Sequence, residues 1–186
     1  MRNFKALMIS TVFGGLALTS SAFAATQGSE GETSTATADI TVTIPKLVKI
    51  TDVSNLAGGT YNGGASGFNM NDNVCIYSNM AASGKYTVKV TSTNPSTSPT
   101  AGFYVGQSGT TEEILFTLAW NDVQGTTGEA ALTENTNLPT QDGFSDQPDC
   151  GASTNANFHA VMTQADMLAV LPGAYSATIT ILITPE

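Results

Sequence analysis

The sequence predicts an all-β protein with an immunoglobulin-like antiparallel β-sandwich. Apolar and polar residues alternate with a period of two in several short segments, turn-forming residues separate these segments, and helical periodicity is almost absent. Val, Ile, Thr and Tyr fill the alternating segments, as is usual in strands. About seven such segments are present, which is typical of a two-sheet sandwich.

Residues 1–24 have the features of a secretory signal peptide. Arg2 and Lys5 form a basic start, a mostly apolar stretch follows, and Ala22 to Ala24 supply small residues around a cleavage position. The apolar stretch is shorter than the roughly 20 residues that a membrane-spanning helix needs. We therefore expect an exported protein that is not inserted in a membrane.

The next segment, residues 25–38, is small and polar and contains no large apolar side chain. Such a segment cannot offset the entropy lost on ordering, so we expect a flexible leader. The remaining residues, 39–186, suit a single β-sandwich domain with a sizeable core.

The first predicted strand covers residues 39–50. Its apolar residues share one face because they are all even-numbered, and threonines fill the opposite face near its start. These apolar residues are Ile40, Val42, Ile44, Val48 and Ile50. Pro45 removes one backbone donor, so an edge position or a bend is expected there.

A glycine-rich stretch at 57–67 predicts a loop, because phosphate binding by glycines would need a helix after it and no helical pattern follows. Phe68, Met70, Val74 and Ile76 then share parity and predict a strand that carries Cys75 on its other face.

Further segments complete the predicted sheets. The stretch 114–120 is apolar on both faces and is expected to be central. A loop is expected from Ser92 to Thr100, and a polar connection from Asn121 to Asn157. Residues 164–170 fit either a helical turn or a short edge strand. The other expected strands are 86–90, 103–105, a short one at 130–133, 158–162, and a terminal strand after Leu171-Pro172-Gly173 in which the odd positions are apolar.

Two cysteines occur, Cys75 and Cys150. An even number of cysteines in an exported protein predicts one structural disulfide. Neither cysteine has a C-x-x-C neighbour, which argues against a metal or redox site.

Charge and motif content argue against several functions. The formal net charge of −9 disfavours nucleic-acid and anionic-membrane partners. The single histidine, His159, has no nucleophile motif near it, so we expect no enzyme, no catalytic residue and no cofactor. Four residues with side-chain oxygens lie close together, namely Asn69, Asn71, Asp72 and Asn73. Their spacing lacks the ligand pattern and the closing Glu of a calcium-binding loop, so no metal site is assigned.

Two terminal motifs carry a resemblance. Residues 35–44 read Thr-Ala-Thr-Ala-Asp-Ile-Thr-Val-Thr-Ile, and residues 172–181 read Pro-Gly-Ala-Tyr-Ser-Ala-Thr-Ile-Thr-Ile. In this order, behind a signal peptide, they resemble bacterial chaperone–usher fimbrial subunits, most closely the archaic branch related to spore coat protein U. The chain departs from that branch in lacking a cysteine just after the first strand, at 48–51.

The resemblance implies a pilin whose sandwich lacks one strand and is completed by donor-strand addition. The donor residues would be Ile40, Val42, Ile44, Val48 and Ile50. The implied partners are a second copy of the chain in a head-to-tail filament, a periplasmic chaperone and an outer-membrane usher, with export through the periplasm to a fimbrium at the cell surface. A self-contained secreted or periplasmic β-sandwich binding module is the alternative, because alternation looks the same whether the strand pairs within its own chain or with another.

Overall fold

The computed structural model describes residues 25–93 and 102–186. The predicted signal peptide lies outside these residues, as does most of the predicted loop from Ser92 to Thr100. The chain divides into two units, Met1–Ile44 and Pro45–Glu186.

The described part of the first unit contains one isolated antiparallel bridge. The backbone amides and carbonyls of Thr26 and Thr37 bond to each other at 3.0 and 3.1 Å. Residues 38–44 form no strand, and the side chains of Ile40, Val42 and Ile44 are 92%, 79% and 78% exposed. The apolar face of this alternating segment is therefore exposed.

The described residues of the second unit form ten strands, one short α-helix and a 3₁₀ turn at Cys150–Ala152. The strands are β1 (Val48–Thr51), β2 (Phe68–Ser78), β3 (Tyr86–Ser92), β4 (Phe103–Gln107), β5 (Glu113–Asn121), β6 (Ala130–Ala131), β7 (Asn137–Gln141), β8 (Ala156–Met162), β9 (Tyr175–Ser176) and β10 (Ile179–Pro185), and the helix is α1 (Gln164–Leu168).

The strands form two antiparallel sheets. The larger has the order β1-β2-β8-β5-β4-β9, with β6 also pairing with β5. The smaller has the order β10-β3-β7. The terminal segment belongs to both, because β9 pairs with β4 in the larger sheet and β10 pairs with β3 in the smaller one.

A single core joins the two sheets. Trp120 of β5 and Tyr86 of β3 are both 0% exposed, their rings meet edge-on at 6.4 Å, and Trp120 Nε1 donates to the Tyr86 hydroxyl at 3.1 Å. Burial raises the pKa of Tyr86, which keeps the phenol neutral. The predicted all-β antiparallel sandwich is confirmed.

The first strand is shorter than predicted. Strand β1 begins at Val48 because Asn79 binds the chain just before it, donating from Nδ2 to the Pro45 carbonyl at 2.8 Å and accepting from the Leu47 amide at 2.7 Å. Val48 and Ile50 pair with β2 and pack against the core of their own chain. Val48 and Ile50, which the predicted donor set includes, therefore lie in the sheet of their own chain, and their donor role stays a prediction.

The polar region from Asn121 to Asn157 is more structured than predicted. It holds the expected short strand as β6, but also β7, which the sequence analysis missed. The undecided segment at 164–170 is helical, because the Thr163 hydroxyl accepts from the Asp166 amide at 3.3 Å and caps α1.

The predicted disulfide between Cys75 and Cys150 is present, with a Cα–Cα distance of 6.0 Å. It closes a separation of 75 residues, which the chain-entropy model values at roughly 4–5 kcal/mol. Asn155 forms a second connection to β2. Its Oδ1 accepts from the Ile76 amide at 2.8 Å, and its Nδ2 donates to the Ile76 carbonyl at 2.9 Å. The region before β8 is thus fastened to β2.

Candidate functional site

An apolar groove with a volume of about 1130 Å³ lies in the second unit. Its floor is the inner face of the larger sheet, and one wall is strand β10 of the smaller sheet. The floor residues come from β2, β8 and β5, and include Phe68, Met70, Ala160, Met162, Phe116 and Leu118.

Strand alternation explains why these side chains meet. In β5 the residues Ile114, Phe116 and Leu118 share parity and all point to the inner face. Ala160 lies opposite Met70 on one side and Leu118 on the other, so a small side chain lies between two large ones. Among the described residues that line the groove, none is Asp, Glu, Lys or Arg.

Strand β10 exposes one backbone edge beside this groove. Its other edge bonds to β3, and two end bonds define the pattern: the Thr93 amide donates to the Thr178 carbonyl at 2.9 Å, and the Glu186 amide donates to the Lys85 carbonyl at 3.2 Å. In an antiparallel pair, alternate residues bond the same neighbour. The even-numbered residues of β10 therefore bond β3.

The odd-numbered residues of β10 direct their backbone groups the other way. Within the described ranges, Ile179, Ile181 and Ile183 receive and donate no backbone bond on that side. The side chains of Ile179 and Ile181 also line the groove. Along Ile179 and Ile181, where β10 borders the groove, this edge can thus pair with an added strand.

Helix α1 and the turn after it form one rim of the groove. Met167 is buried, whereas Leu168 and Leu171 are exposed. The Leu171 amide donates to Glu112 Oε2 at 3.3 Å, and the Tyr175 hydroxyl donates to the Leu171 carbonyl at 2.7 Å. Desolvation and the nearby Glu112 carboxylate raise the pKa of Tyr175, so it stays a hydrogen-bond donor.

His159 lies away from the groove, on the outer face of the larger sheet. It is buried, its Nδ1 lies 2.8 Å from Glu129 Oε2, and its Nε2 lies 2.9 Å from Asn69 Oδ1. Each ring nitrogen thus lies within hydrogen-bonding distance of one of these side chains, and no hydroxyl or thiol forms a hydrogen bond with either nitrogen in the described part of the chain. The arrangement is that of a structural histidine.

The oxygen-rich run at 69–73 does not converge on one point. Asp72 Oδ2 accepts from the Ser54 amide at 2.6 Å, whereas Asn73 Oδ1, on the other face, accepts from Asn157 Nδ2 at 2.8 Å. Among residues 25–93 and 102–186, no group of three or more His, Cys, Asp or Glu side chains could hold a metal ion.

The structure places the predicted site residues in three settings. Ile40, Val42 and Ile44 are exposed and outside any strand, Val48 and Ile50 belong to β1, and the two cysteines are bridged. The resemblance implied an incomplete sandwich, but the residues that line the groove and the strand that carries the free edge were not predicted from the sequence. They depend on sheet order, which residue alternation does not encode.

The disulfide suggests an exported protein, since such bridges form and persist in oxidising compartments. In the part of the chain that the structure describes, no helix has the length and apolar character needed to cross a membrane.

Comparison with known proteins gives few matches. No family model matches the chain, and no curated protein does. Among solved structures, the chain is similar to a chain of the structure described as "Chaperone-tip adhesin complex is vital for synergistic activation of CFA/I fimbriae biogenesis". The sequence identity is 16%, the TM-score is 0.49, and the match covers 75% of this chain and 42% of the other. The present chain thus spans less than half of that chain's length.

Proposed function

We propose that this protein is a structural subunit of a bacterial surface fimbria that polymerises by donor-strand complementation. Residues 39–44 of one copy would enter the groove of the next copy and pair with the free edge of β10. The observation that carries this proposal is a strand edge that has no partner among residues 25–93 and 102–186, beside an apolar groove, in a chain that also carries an exposed, alternating apolar segment.

The energetics support such an exchange. Ile40, Val42 and Ile44 are exposed in the single chain, and burying each contributes about 1.5–3 kcal/mol. Each new backbone hydrogen bond along β10 adds about 1 kcal/mol net. Thr41 and Thr43 would face away from the groove, because successive side chains of a strand point to opposite faces.

The product of this exchange is a filament, since a head-to-tail contact between different surfaces does not close on itself. In this proposal a periplasmic chaperone covers the groove before assembly, and an outer-membrane usher exchanges the chaperone for the next subunit. The fibre lies at the cell surface and supports adhesion or biofilm formation. The subunit acts structurally, without catalysis, metal or cofactor.

Unheated gel electrophoresis of the exported protein tests the proposal. We expect a ladder of polymers that collapses to one band on boiling. Val42→Asp should abolish the ladder, because a carboxylate cannot enter an apolar groove without a large desolvation cost. Thr43→Asp is the matched control, since it adds the same charge on the opposite face and should keep the ladder.

Two results would contradict the proposal: a single band for the unmodified protein, or an unchanged ladder for Val42→Asp. The first result would instead favour the alternative, a self-contained secreted or periplasmic binding module.

A further inference from the structure

One side of the groove is built from irregular chain. The connection between β1 and β2, residues 52–67, forms no strand or helix, and we call it the strap. Irregular connections longer than about 12–15 residues are uncommon and are usually either functional or linker segments. Residues 53–61 of the strap all line the groove.

The strap is held by few hydrogen bonds. Its bonds to the sheet run from the Ser54 amide to Asp72 Oδ2, at 2.6 Å, and from the Thr51 hydroxyl to Asp52 Oδ2, at 3.2 Å. The Tyr61 hydroxyl bonds within the strap to the Gly64 carbonyl at 2.8 Å. In the described residues, the strap makes no backbone-to-backbone hydrogen bond. A segment without ladder bonds opens at low free energy.

Apolar contacts seat the strap on the groove floor instead. Leu56 is partly buried and packs against the core. The ring of Tyr61 meets that of Phe68 edge-on at 6.2 Å, and a side chain at Gly58 would come within 2.6 Å of the same ring. The floor residues Ile114, Phe116, Leu118 and Ala160 are buried, and they line the groove together with residues 53–61 of the strap.

The strap also has positions at which its backbone can turn. Asp52, at its start, has a φ of 62°, and Gly59 and Gly63 have φ values of 81° and 76°. At both glycines, no atom lies within 4 Å of the place that a side chain would take. The backbone at these two glycines is therefore not packed against other residues on that side.

We propose that the strap is a placeholder, whose Leu56 shields the groove floor in the free subunit and must yield when a strand enters. This inference rests on the proposed function, because it assigns Leu56 a role in the rate of strand entry. The strap protects apolar floor residues from water while no chaperone strand or donor strand occupies the groove, and its few hydrogen bonds make it easy to displace.

Uptake of a labelled synthetic peptide, residues 36–46, tests the inference. The acceptor is the full chain with Val42→Asp, so that its own segment does not compete. We expect Leu56→Ala to speed uptake by about tenfold, since truncating a partly buried leucine removes part of the contact that must break. Leu56→Met, which keeps the apolar bulk, should restore the parent rate. Leu182→Ala, which truncates an exposed leucine of β10, is the matched control and should stay within about twofold of the parent.

A second measurement needs no peptide. Leu56→Ala should bind more of the fluorescent dye ANS than the parent, because the floor becomes accessible, whereas Leu182→Ala should not. Equal peptide uptake and equal dye binding by Leu56→Ala and the parent would overturn the placeholder role alone. If the peptide enters neither the parent nor any variant, the donor-strand proposal fails, and the role of the strap in strand entry fails with it.

Discussion

Filling the centre of the groove floor should block strand uptake without unfolding the subunit. Ala160 is 3% exposed, lines the groove, and lies between Met70 and Leu118 in the sheet register. In Ala160→Phe, the ring would project into the space that an incoming apolar side chain needs.

The expected magnitude follows from the loss of one such side chain. Burying one aliphatic side chain contributes about 1.5–3 kcal/mol, and each 1.4 kcal/mol is a factor of ten. Affinity for the 36–46 peptide should therefore fall by roughly 10- to 150-fold. Overpacking costs about 1–3 kcal/mol of stability, and the low end is expected because the ring faces the groove.

Peptide binding and thermal unfolding, measured on the same samples, provide the assay. Thr117→Phe is the matched control, because it adds an aromatic ring on the exposed outer face of β5 and should leave binding unchanged. A folded Ala160→Phe variant that binds the peptide as tightly as the parent would refute the assignment of this groove as the strand-binding site.

Three further predictions concern the stability of the sandwich. Reducing the disulfide should lower the free energy of unfolding by about 2–5 kcal/mol, and calorimetry with and without reductant measures this. Trp120→Phe should cost about 1–3 kcal/mol, because the Tyr86 hydroxyl loses its donor in a dry core; denaturant titration checks it, and an unchanged midpoint would count against that role. The hydrogen bond from Lys85 holds the pKa of Asp142 below its ordinary value of 3.8, so this pair contributes stability above that value, which is lost as the pH falls through the lowered pKa. Because both side chains are partly exposed, Asp142→Asn should cost under about 1 kcal/mol at pH 7 and nothing once the carboxylate is protonated; a loss that persists in acid would contradict the ion-pair assignment.

Alternation predicted the parts of the fold in which one strand face is buried. Strands β2, β3, β5, β8 and β10 all place their apolar parity inward, as expected from the sequence. The disulfide followed from the cysteine count and the inferred compartment, without any geometry.

Other elements lack a sequence signal for physical reasons. Strand β7 contains Pro139 and one large apolar residue, Leu138, so tertiary pairing with β3 overrides its weak propensity. Strand β1 starts late because Asn79, distant in sequence, binds the chain at Pro45 and Leu47.

Of the proposed strand exchange, only the proposed donor residues could be predicted from the sequence. The alternation of apolar and polar residues identifies Ile40, Val42 and Ile44 as one face of a strand. The groove, in contrast, forms only when β2, β8, β5 and β10 come together in the folded chain. The strap was recognised as a glycine-rich loop, but its contact with the floor through Leu56 depends on the fold.

Residue-resolved hydrogen exchange on β10 tests the central claim most directly, by comparing the monomeric Val42→Asp chain with assembled fibres. The amides of Thr180 and Leu182 bond β3 and should be protected in both states, which provides an internal control. We predict that the amides of Ile179 and Ile181 exchange rapidly in the monomer and become strongly protected in the fibre. Protection of these two amides already in the monomer, or rapid exchange in the fibre, would contradict the account.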